Sequence, residues 1–369
     1  MNNPVLDKKK TKVVIAMSGG VDSSVCGSMM KEAGYDCIGM TMRLWSPKDK
    51  CSTDKSCCGS ESVEDARLVA EKVGFPFYAI NFQKEFWRDV IEVFADQYFS
   101  GKTPSPCILC NEKMKFDALY KKAISIGAEK VCTGHYAQIE HDEKRDRWLL
   151  KKGIDEKKDQ SYFLFSMTQE QLKNTLFPLG GFTKPQIREM AGQKELVTAK
   201  KPESQDICFI PNNDYAAFLN KHFKDRVPKK GVIKHTDGTV LGEHKGVHSA
   251  TIGQRKGLGV AFGRPLYVTQ IDANKNEIIL GDEKSTLGKE FLIKNPTWVY
   301  EVPEINKPYL LNIKIRARSK EVPGQVIAKQ DGKAHVILDD PQNAITPGQA
   351  AVFYIGDYVF GGGWIEEAL

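Results

Sequence analysis

The stretch Lys12-Val-Val-Ile-Ala-Met17 runs directly into Ser18-Gly19-Gly20-Val21-Asp22-Ser23-Ser24. The apolar residues predict a buried β-strand, and a helix is predicted to begin near Asp22. The glycines between them let the backbone approach a ligand closely, and the helix start directs free N–H groups and the positive end of its dipole at an anion. The stretch therefore predicts a pyrophosphate-binding turn. It has neither the Gly-Lys-Ser/Thr ending of a Walker A loop nor the spacing of the G-x-G-x-x-G fingerprint.

Length and composition limit the class of protein. The chain has 369 residues, enough for two or three domains, and its 41% hydrophobic and 27% charged residues are typical of a soluble globular protein. No apolar run is long enough to cross a bilayer, and the basic N-terminal stretch is not followed by a signal-peptide core, so we expect a cytoplasmic protein. The net charge of +6 suits a polyanionic partner.

Strand and helix signals alternate through the first two hundred residues. This alternation predicts an α/β doubly wound parallel sheet, whose ligands bind beyond the carboxyl ends of the strands. Helices are predicted over Asp22–Ala33, from a capping box at Ser62 to Val73, and over Gln83–Tyr98 and Asn111–Ile126. Glycine-rich turns and then alternating strands predict a small central domain and a C-terminal β-barrel. The expected domains are 1–211, 212–285 and 286–369.

The nine cysteines, an odd number, do not indicate a disulfide framework in a cytosolic chain and favour redox, thiolate or metal chemistry. Cys107 and Cys110 form a C-x-x-C pair in Pro104-Ser-Pro-Cys107-Ile-Leu-Cys110-Asn111. Cys110 precedes Asn111, the predicted N-cap of a helix, and the helix dipole would favour its thiolate. Cys208 alone is typical of a small buried residue, but beside the phosphate turn and Cys110 a chemical role is favoured.

Six motifs occur in order along nearly the whole chain. They are SGGVDSS, PSPCILCNEKMKF, TGHYA at 133–137, KKDQSYFLF at 157–165, SQDICFI at 204–210 and TIGQRKGLG at 251–259. With this ordered set the chain resembles the tRNA-specific 2-thiouridylases of the PP-loop ATP pyrophosphatase superfamily, which have an adenine nucleotide α-hydrolase-like fold. The resemblance implies an ATP-dependent transferase that adenylates the C2 oxygen of a wobble uridine in tRNA and replaces it with sulfur. A sulfur-donor protein, either a cysteine desulfurase or a relay protein, is the implied second partner.

The resemblance also implies roles for individual residues. Cys110 matches the family's catalytic nucleophile and Cys208 its persulfide-bearing cysteine, and a Cys110–Cys208 disulfide is implied for the oxidised protein. The remaining implied residues bind ATP with Mg²⁺ (Ala16, Met17, Ser18, Gly19, Gly20, Val21, Asp22, Ser23, Met42 and Gly134), contact tRNA (Lys158, Asp159, Gln160, Arg316, Ala317 and Arg318) or form the target-base loop (Ser105, Pro106 and Cys107).

One position departs from the family pattern. Many members have Asn-Pro-Asp where this chain has Ser105-Pro106-Cys107, which puts the usual contact to the target base in doubt. Cys107, Cys110 and Cys208 are enough to bind three irons of a [4Fe–4S] cluster and leave the fourth open to hydrosulfide. The sequence leaves this cluster and the Cys208 persulfide as alternative sulfur carriers.

Two rival functions stay open. One is a PP-loop enzyme that adenylates a small molecule, such as an amide synthetase, although such chemistry needs no thiols. The other is a non-catalytic RNA-binding protein with a vestigial loop. Cys51, Cys57 and Cys58 are a weaker candidate for a second metal site, and Cys26, Cys37 and Cys132 are expected to be packing residues.

Overall fold

The strands of the protein form three sheets. The computed structural model describes residues 11–45, 60–203 and 207–369. Its strands are Lys12–Ala16 (β1), Asp36–Arg43 (β2), Phe77–Asn81 (β3), Lys130–Cys132 (β4), Ala137–Asp142 (β5), Arg147–Lys152 (β6), Thr175–Leu176 (β7), Gly231–His235 (β8), Val240–His244 (β9), Tyr267–Asp272 (β10), Glu277–Gly281 (β11), Leu287–Trp298 (β12), Pro308–Lys314 (β13), Val322–Ala328 (β14), Ala334–Asn343 (β15), Ala350–Ile355 (β16) and Tyr358–Ala368 (β17).

The helices lie mostly in the first two hundred residues, between the strands. The third and fourth helices each continue through a middle segment with π-type hydrogen bonding, at Trp87–Glu92 and Cys110–Leu119. π-type turns are rare and occur frequently at functional sites. The helices are Val21–Glu32 (α1), Ser60–Val73 (α2), 83–99 (α3), 106–125 (α4), Gln169–Lys173 (α5), Lys184–Gln193 (α6) and Tyr215–His222 (α7).

The first sheet confirms the predicted doubly wound fold. It is parallel, with the order β3-β2-β1-β4-β7. Val13, Val14 and Ile15 of β1 are fully buried, as expected for a central strand covered by helices on both faces. The strand order reverses between β1 and β4, so the turn after β1 lies at the topological switch point, where such sheets bind ligands.

The predicted C-terminal barrel is confirmed, with an addition from the first domain. Strands β12, β15, β14, β13, β16 and β17 follow one another in one sheet, and a β12–β17 pairing closes it. The β5–β6 hairpin continues this sheet through a pairing of Tyr358 in β17 with Lys151 in β6. The barrel sheet is therefore partly built by the first domain.

The central region forms a four-stranded sheet in the order β10-β11-β8-β9, with β8 and β11 parallel. Its buried apolar residues, from Ile233 to Leu280, form a cluster of their own. Across the residues that the structure describes, no helix is both long enough and apolar enough to cross a membrane.

Two predicted helix starts are wrong. The second helix already includes Ser60, so Ser62 lies inside the helix and does not cap it. The fourth begins at Pro106, with Ser105 as its N-cap, and not at Asn111. Proline is favoured in the first turn of a helix because its missing N–H would have no intrahelical partner there. Cys110 is therefore inside the helix, and the dipole argument applies more directly to Cys107.

Candidate active site

The turn after β1 has a shape that requires glycine at residue 19. The φ angle of Gly19 is +69°, in the left-handed region. A Cβ atom there would lie 2.0 Å from the carbonyl oxygen of Ser62 in α2, far inside van der Waals contact. The turn and the start of α2 therefore pack backbone against backbone.

Serine hydroxyls stabilise the same turn. Ser23 and Ser24 donate hydrogen bonds from their hydroxyls to the carbonyl of Gly20, at 3.1 and 2.8 Å. The backbone N–H of Ser18 donates to the Ser23 hydroxyl oxygen at 3.2 Å. Gly20 is the N-cap of α1, and the Ser18 side chain is exposed. The turn therefore presents the beginning of a helix and a serine hydroxyl to solvent, an arrangement suited to phosphate oxygens.

The other two residues predicted to bind ATP lie at the same edge of the sheet. Gly134 follows β4, and a Cβ atom there would lie 3.1 Å from the Asp22 side chain and from the Ser23 backbone nitrogen. Met42 is near the end of β2, where it pairs with Ile80 of β3. The structure thus brings the turn and Gly134 into direct contact, with Met42 two strands away from β4.

His135 lies behind Gly134 and is buried. Its Nδ1 atom is 2.6 Å from the Thr133 hydroxyl, and its Nε2 atom is 3.3 Å from the Lys115 ammonium group. Burial, together with the positive charge of Lys115, lowers the pKa of His135 well below its ordinary value. The imidazole is therefore neutral at neutral pH.

Asp22, in the first turn of α1, is held by two donors. The Lys184 ammonium group lies 2.7 and 2.8 Å from the two carboxylate oxygens, and the Tyr136 hydroxyl donates at 2.7 Å. Burial, the charge of Asp22 and this hydrogen bond raise the pKa of Tyr136, which keeps the hydroxyl protonated as a donor.

Lys184 also contacts Glu203, which precedes Cys208 by a few residues. The two charged groups are 3.0 Å apart, and Lys158 reaches the other carboxylate oxygen of Glu203 at 2.5 Å. Burial opposes ionisation of Glu203, but its bonds to Lys158 and Lys184 outweigh burial and lower its pKa. A continuous ionic network therefore connects the turn to Glu203, which precedes Cys208 by five residues.

Cys110 and Cys208, far apart in sequence, pack against the same hydrophobic cluster. Cys110 is half-buried in α4, and Cys107, one turn earlier, is exposed. Cys208 is half-buried beside Phe209, whose ring contacts those of Phe86, Phe94 and Phe218 at centroid distances of 5.3 to 5.6 Å. The fold therefore gathers the two cysteines in one region.

Comparison with known proteins assigns the chain to a family. Three family models match in succession, a tRNA methyl transferase HUP domain over residues 11–212, a tRNA methyl transferase PRC-barrel domain over 216–282 and an aminomethyltransferase β-barrel domain over 288–365. The tRNA-specific 2-thiouridylase MnmA of Clostridioides difficile is 46% identical over 97% of this chain and 99% of its own length. That of Heliobacterium modesticaldum is 48% identical over 98% and 94%.

The chain belongs to the tRNA-specific 2-thiouridylase family. The resemblance inferred from the ordered motifs is thereby confirmed. A remote likeness is also found to a solved U34-tRNA thiolase, NcsA from Methanococcus maripaludis with its [4Fe-4S] cluster. That likeness has 16% identity and a TM-score of 0.37, over 61% of this chain and 71% of that chain.

In the first segment expected to contact tRNA, Lys158 to Gln160, the side chains of Asp159 and Gln160 bond to the backbone of neighbouring residues. Asp159 accepts hydrogen bonds from the backbone of Gly153 and Ser161, each at 3.1 Å. Gln160 accepts one from the backbone of Tyr136 at 3.0 Å. Lys158 is partly engaged by Glu203. A role of this segment in tRNA binding stays a prediction.

The second such segment follows β13 in the barrel. Arg316 donates to the carbonyl oxygens of Asn343, at 2.8 Å, and Ala344, and burial lowers its pKa. Ala317 is half-buried, whereas Arg318 is exposed. Of the two arginines, Arg318 therefore offers the more accessible charge to a phosphate, and this contact also stays a prediction.

Within residues 11–45, 60–203 and 207–369 there is no preformed site for a single metal ion. Among them, no three His, Cys, Asp or Glu side chains are grouped so that they could hold a metal ion. Cys107, Cys110 and Cys208 belong to this part of the chain, and their role as ligands of a cluster stays a prediction. Cys51, Cys57 and Cys58 lie outside the described residues.

The network of Lys184, Tyr136 and Glu203 is not predicted from the sequence. Lysine and glutamate are usually exposed, so a lysine with an 8% exposed side chain between two carboxylates has no signature in one sequence. A weak signal existed for Tyr136, which lies in the TGHYA motif.

Proposed function

We propose that this 2-thiouridylase family member uses ATP to convert the wobble uridine of tRNA to 2-thiouridine. The observation that carries the proposal is the convergence of Cys110 and Cys208 on one hydrophobic cluster, in a chain that matches 2-thiouridylases over nearly its whole length. An enzyme that adenylates a small molecule would not need two thiols there, so this rival is not favoured.

The first step is activation of the base. A uracil carbonyl oxygen is a poor leaving group, and transfer of AMP from ATP to the C2 oxygen makes it displaceable, with release of pyrophosphate. The turn from Ala16 to Ser23 holds the phosphates, because α1 begins there with its free N–H groups. Mg²⁺ accompanies ATP in this proposal. Asp22 is the carboxylate of the turn that would hold it, and the cation would then replace the Lys184 ammonium group on the carboxylate oxygens. The uridine must leave its stack, which costs less in an anticodon loop than in a duplex.

The second step transfers sulfur. The terminal sulfur of a Cys208 persulfide attacks C2, and AMP leaves with the former C2 oxygen. The Cys110 thiolate then attacks Cys208 Sγ, which breaks the S–S bond to the base and leaves 2-thiouridine and a Cys110–Cys208 disulfide. A thiol reductant restores both cysteines, and a cysteine desulfurase or relay protein renews the persulfide. We route no step through a [4Fe–4S] cluster, because a Cys208 persulfide can supply the sulfur without one. Cys107, Cys110 and Cys208 are the residues that would hold such a cluster.

The test is a thiolation assay with wobble-uridine tRNA, Mg·ATP and a persulfide donor, read by mass spectrometry of the nucleosides. The protein is purified without oxygen, and its iron and acid-labile sulfide are measured. We expect 2-thiouridine without stoichiometric iron, loss of product in Cys110→Ser and Cys208→Ser, and nearly normal product in Cys107→Ser.

Other results would change the proposal. Product that requires iron and all three cysteines would replace the persulfide with a cluster as sulfur carrier. Pyrophosphate release that tRNA does not stimulate, with no thiolated tRNA, would favour the small-molecule rival and overturn the proposed function.

A further inference from the structure

Lys184 occupies an unusual position for a lysine. It is the first residue of α6, and its ammonium group lies between two carboxylates, 2.7 Å from Asp22 and 3.0 Å from Glu203. Only 8% of its side chain is exposed, so solvent screens these contacts far less than it screens a surface ion pair. Asp22 belongs to the phosphate-binding turn, and Glu203 precedes Cys208 by five residues in the sequence.

Contacts to both the backbone and the side chain hold Lys184 in place. Its backbone N–H donates to the Asp155 carboxylate at 2.9 Å, and Thr183 and Gln186 form a capping box around the same helix start. Its ammonium group lies 5.8 Å from the centre of the Tyr136 ring. The start of α6 therefore fixes the position of the Lys184 ammonium group, and Asp22 and Glu203 share its positive charge.

We propose that Lys184 is a positioning residue that couples occupancy of the phosphate-binding turn to the reactivity of Cys208. An anion bound at the turn adds negative charge beside Asp22 and competes with Glu203 for the shared ammonium group. A cation bound to Asp22 releases the ammonium group towards Glu203. In both cases the Lys184–Glu203 contact changes when a ligand binds at the turn, and with it the restraint on the chain that leads from Glu203 to Cys208. This inference rests on the proposed function, because only that function gives Cys208 a chemical role. The coupling itself can be measured without turnover of the enzyme.

The surrounding contacts make the coupling testable by mutation. When Lys184 is replaced by Gln, Asp22 keeps its bond from Tyr136 and Glu203 keeps its bond from Lys158. Neither carboxylate is then left without a donor, which favours a folded variant. Lys194→Gln is a matched control, because Lys194 directly follows the same helix and pairs only with the exposed Glu32 among the ion pairs of the described residues.

The experiment measures how fast Cys208 is alkylated by iodoacetamide in the full-length reduced protein, with and without Mg·ATP and in the absence of tRNA. Peptide mass spectrometry separates Cys208 from the other cysteines, and calorimetry measures ATP binding. We expect Mg·ATP to change the Cys208 rate about fivefold or more in the wild type, in either direction, as for typical coupling between sites. Lys184→Gln should abolish this response while still binding ATP, Lys184→Arg should retain part of it, and Lys194→Gln should match the wild type.

Two results would overturn the coupling, namely a wild-type Cys208 rate that does not respond to bound Mg·ATP and a full response in Lys184→Gln. If Lys184→Gln does not fold, Glu203→Gln interrupts the same link from the other side and should abolish the response equally. Failure of the proposed function is recognised separately, since a wild type without thiolation activity can still show a Lys184-dependent response.

Discussion

At the scale of single residues, Gly19 gives the sharpest test of the turn. A Cβ atom there meets the Ser62 backbone at 2.0 Å, and its φ angle of +69° disfavours other residues. We expect Gly19→Ala to lower the free energy of unfolding by about 3 kcal/mol or more, because the backbone must shift to relieve the overlap. ATP binding should weaken as well, since the same shift moves the start of α1. Urea unfolding and calorimetric titration with Mg·ATP measure the two effects.

Gly34, just after the other end of α1, is the matched control. It also has a positive φ angle, +90°, but a Cβ atom there meets nothing within 4 Å. Gly34→Ala should cost only about 1 kcal/mol from backbone strain and leave ATP binding unchanged. Equal costs for the two variants would contradict the assignment of Gly19 to a close backbone contact.

His135 predicts a dependence of stability on pH. Its folded-state pKa is well below the unfolded value, so at pH values between the two the unfolded chain binds a proton that the folded protein does not. The stabilising contribution of the neutral imidazole is present above about pH 6.5 and is lost as the pH falls, by up to about 1.4 kcal/mol per pH unit. We expect the stability gap between wild type and His135→Gln to narrow from pH 7 to pH 5. A gap that is constant over this range would contradict the buried neutral state.

At the scale of elements, the alternating pattern was enough to predict the parallel sheet and the turn after β1 that we propose binds phosphate. Buried strands and amphipathic helices leave local periodic signals, as the residues around β1 illustrate. The start of α4 was mispredicted because Asn111 is a good N-cap by type, while the proline at 106 also suits a first turn. The β5–β6 hairpin was missed because its continuation of the barrel sheet depends on a pairing with β17 that no local pattern reports.

This hairpin is held to the barrel by Arg147. Its guanidinium group donates to the carbonyl oxygens of Val299 and Trp298, at 3.0 and 2.7 Å. Arg147→Met removes both donors, and we expect it to lower the free energy of unfolding by about 2 to 3 kcal/mol. Arg145→Met, in the same hairpin, breaks only exposed contacts to Asp142 and the Tyr300 ring and should cost less than about 1 kcal/mol. Chemical denaturation of the two variants compares these costs, and a larger loss for Arg145→Met would argue against the hairpin as an anchor.

At the scale of the whole molecule, the three expected domains do not correspond to three independent cores. Leu164 and Tyr162 of the first domain share one hydrophobic cluster with Val352 and Tyr354 of the barrel. The Tyr162 hydroxyl donates to the Ala350 carbonyl at 2.9 Å. Changes in composition along a sequence predict domains but not which domains share a core. The expected boundaries at 211 and 285 therefore do not show that the first domain and the barrel share a hydrophobic core.

The shared core predicts which parts of the protein unfold together. Leu164→Ala removes a fully buried side chain and should cost about 2 to 5 kcal/mol. Because Leu164 packs with residues of both domains, amide hydrogen exchange should accelerate together in α4 and in the barrel strands β16 and β17. Ile278→Ala, an equally buried change in the separate central cluster, should accelerate exchange in β8 to β11 and leave α4 and the barrel protected. Exchange measured by mass spectrometry under native conditions compares the two variants. If Leu164→Ala affected the first domain while the barrel kept its protection, the two domains would be separate folding units, and the hairpin would be only a surface contact between them.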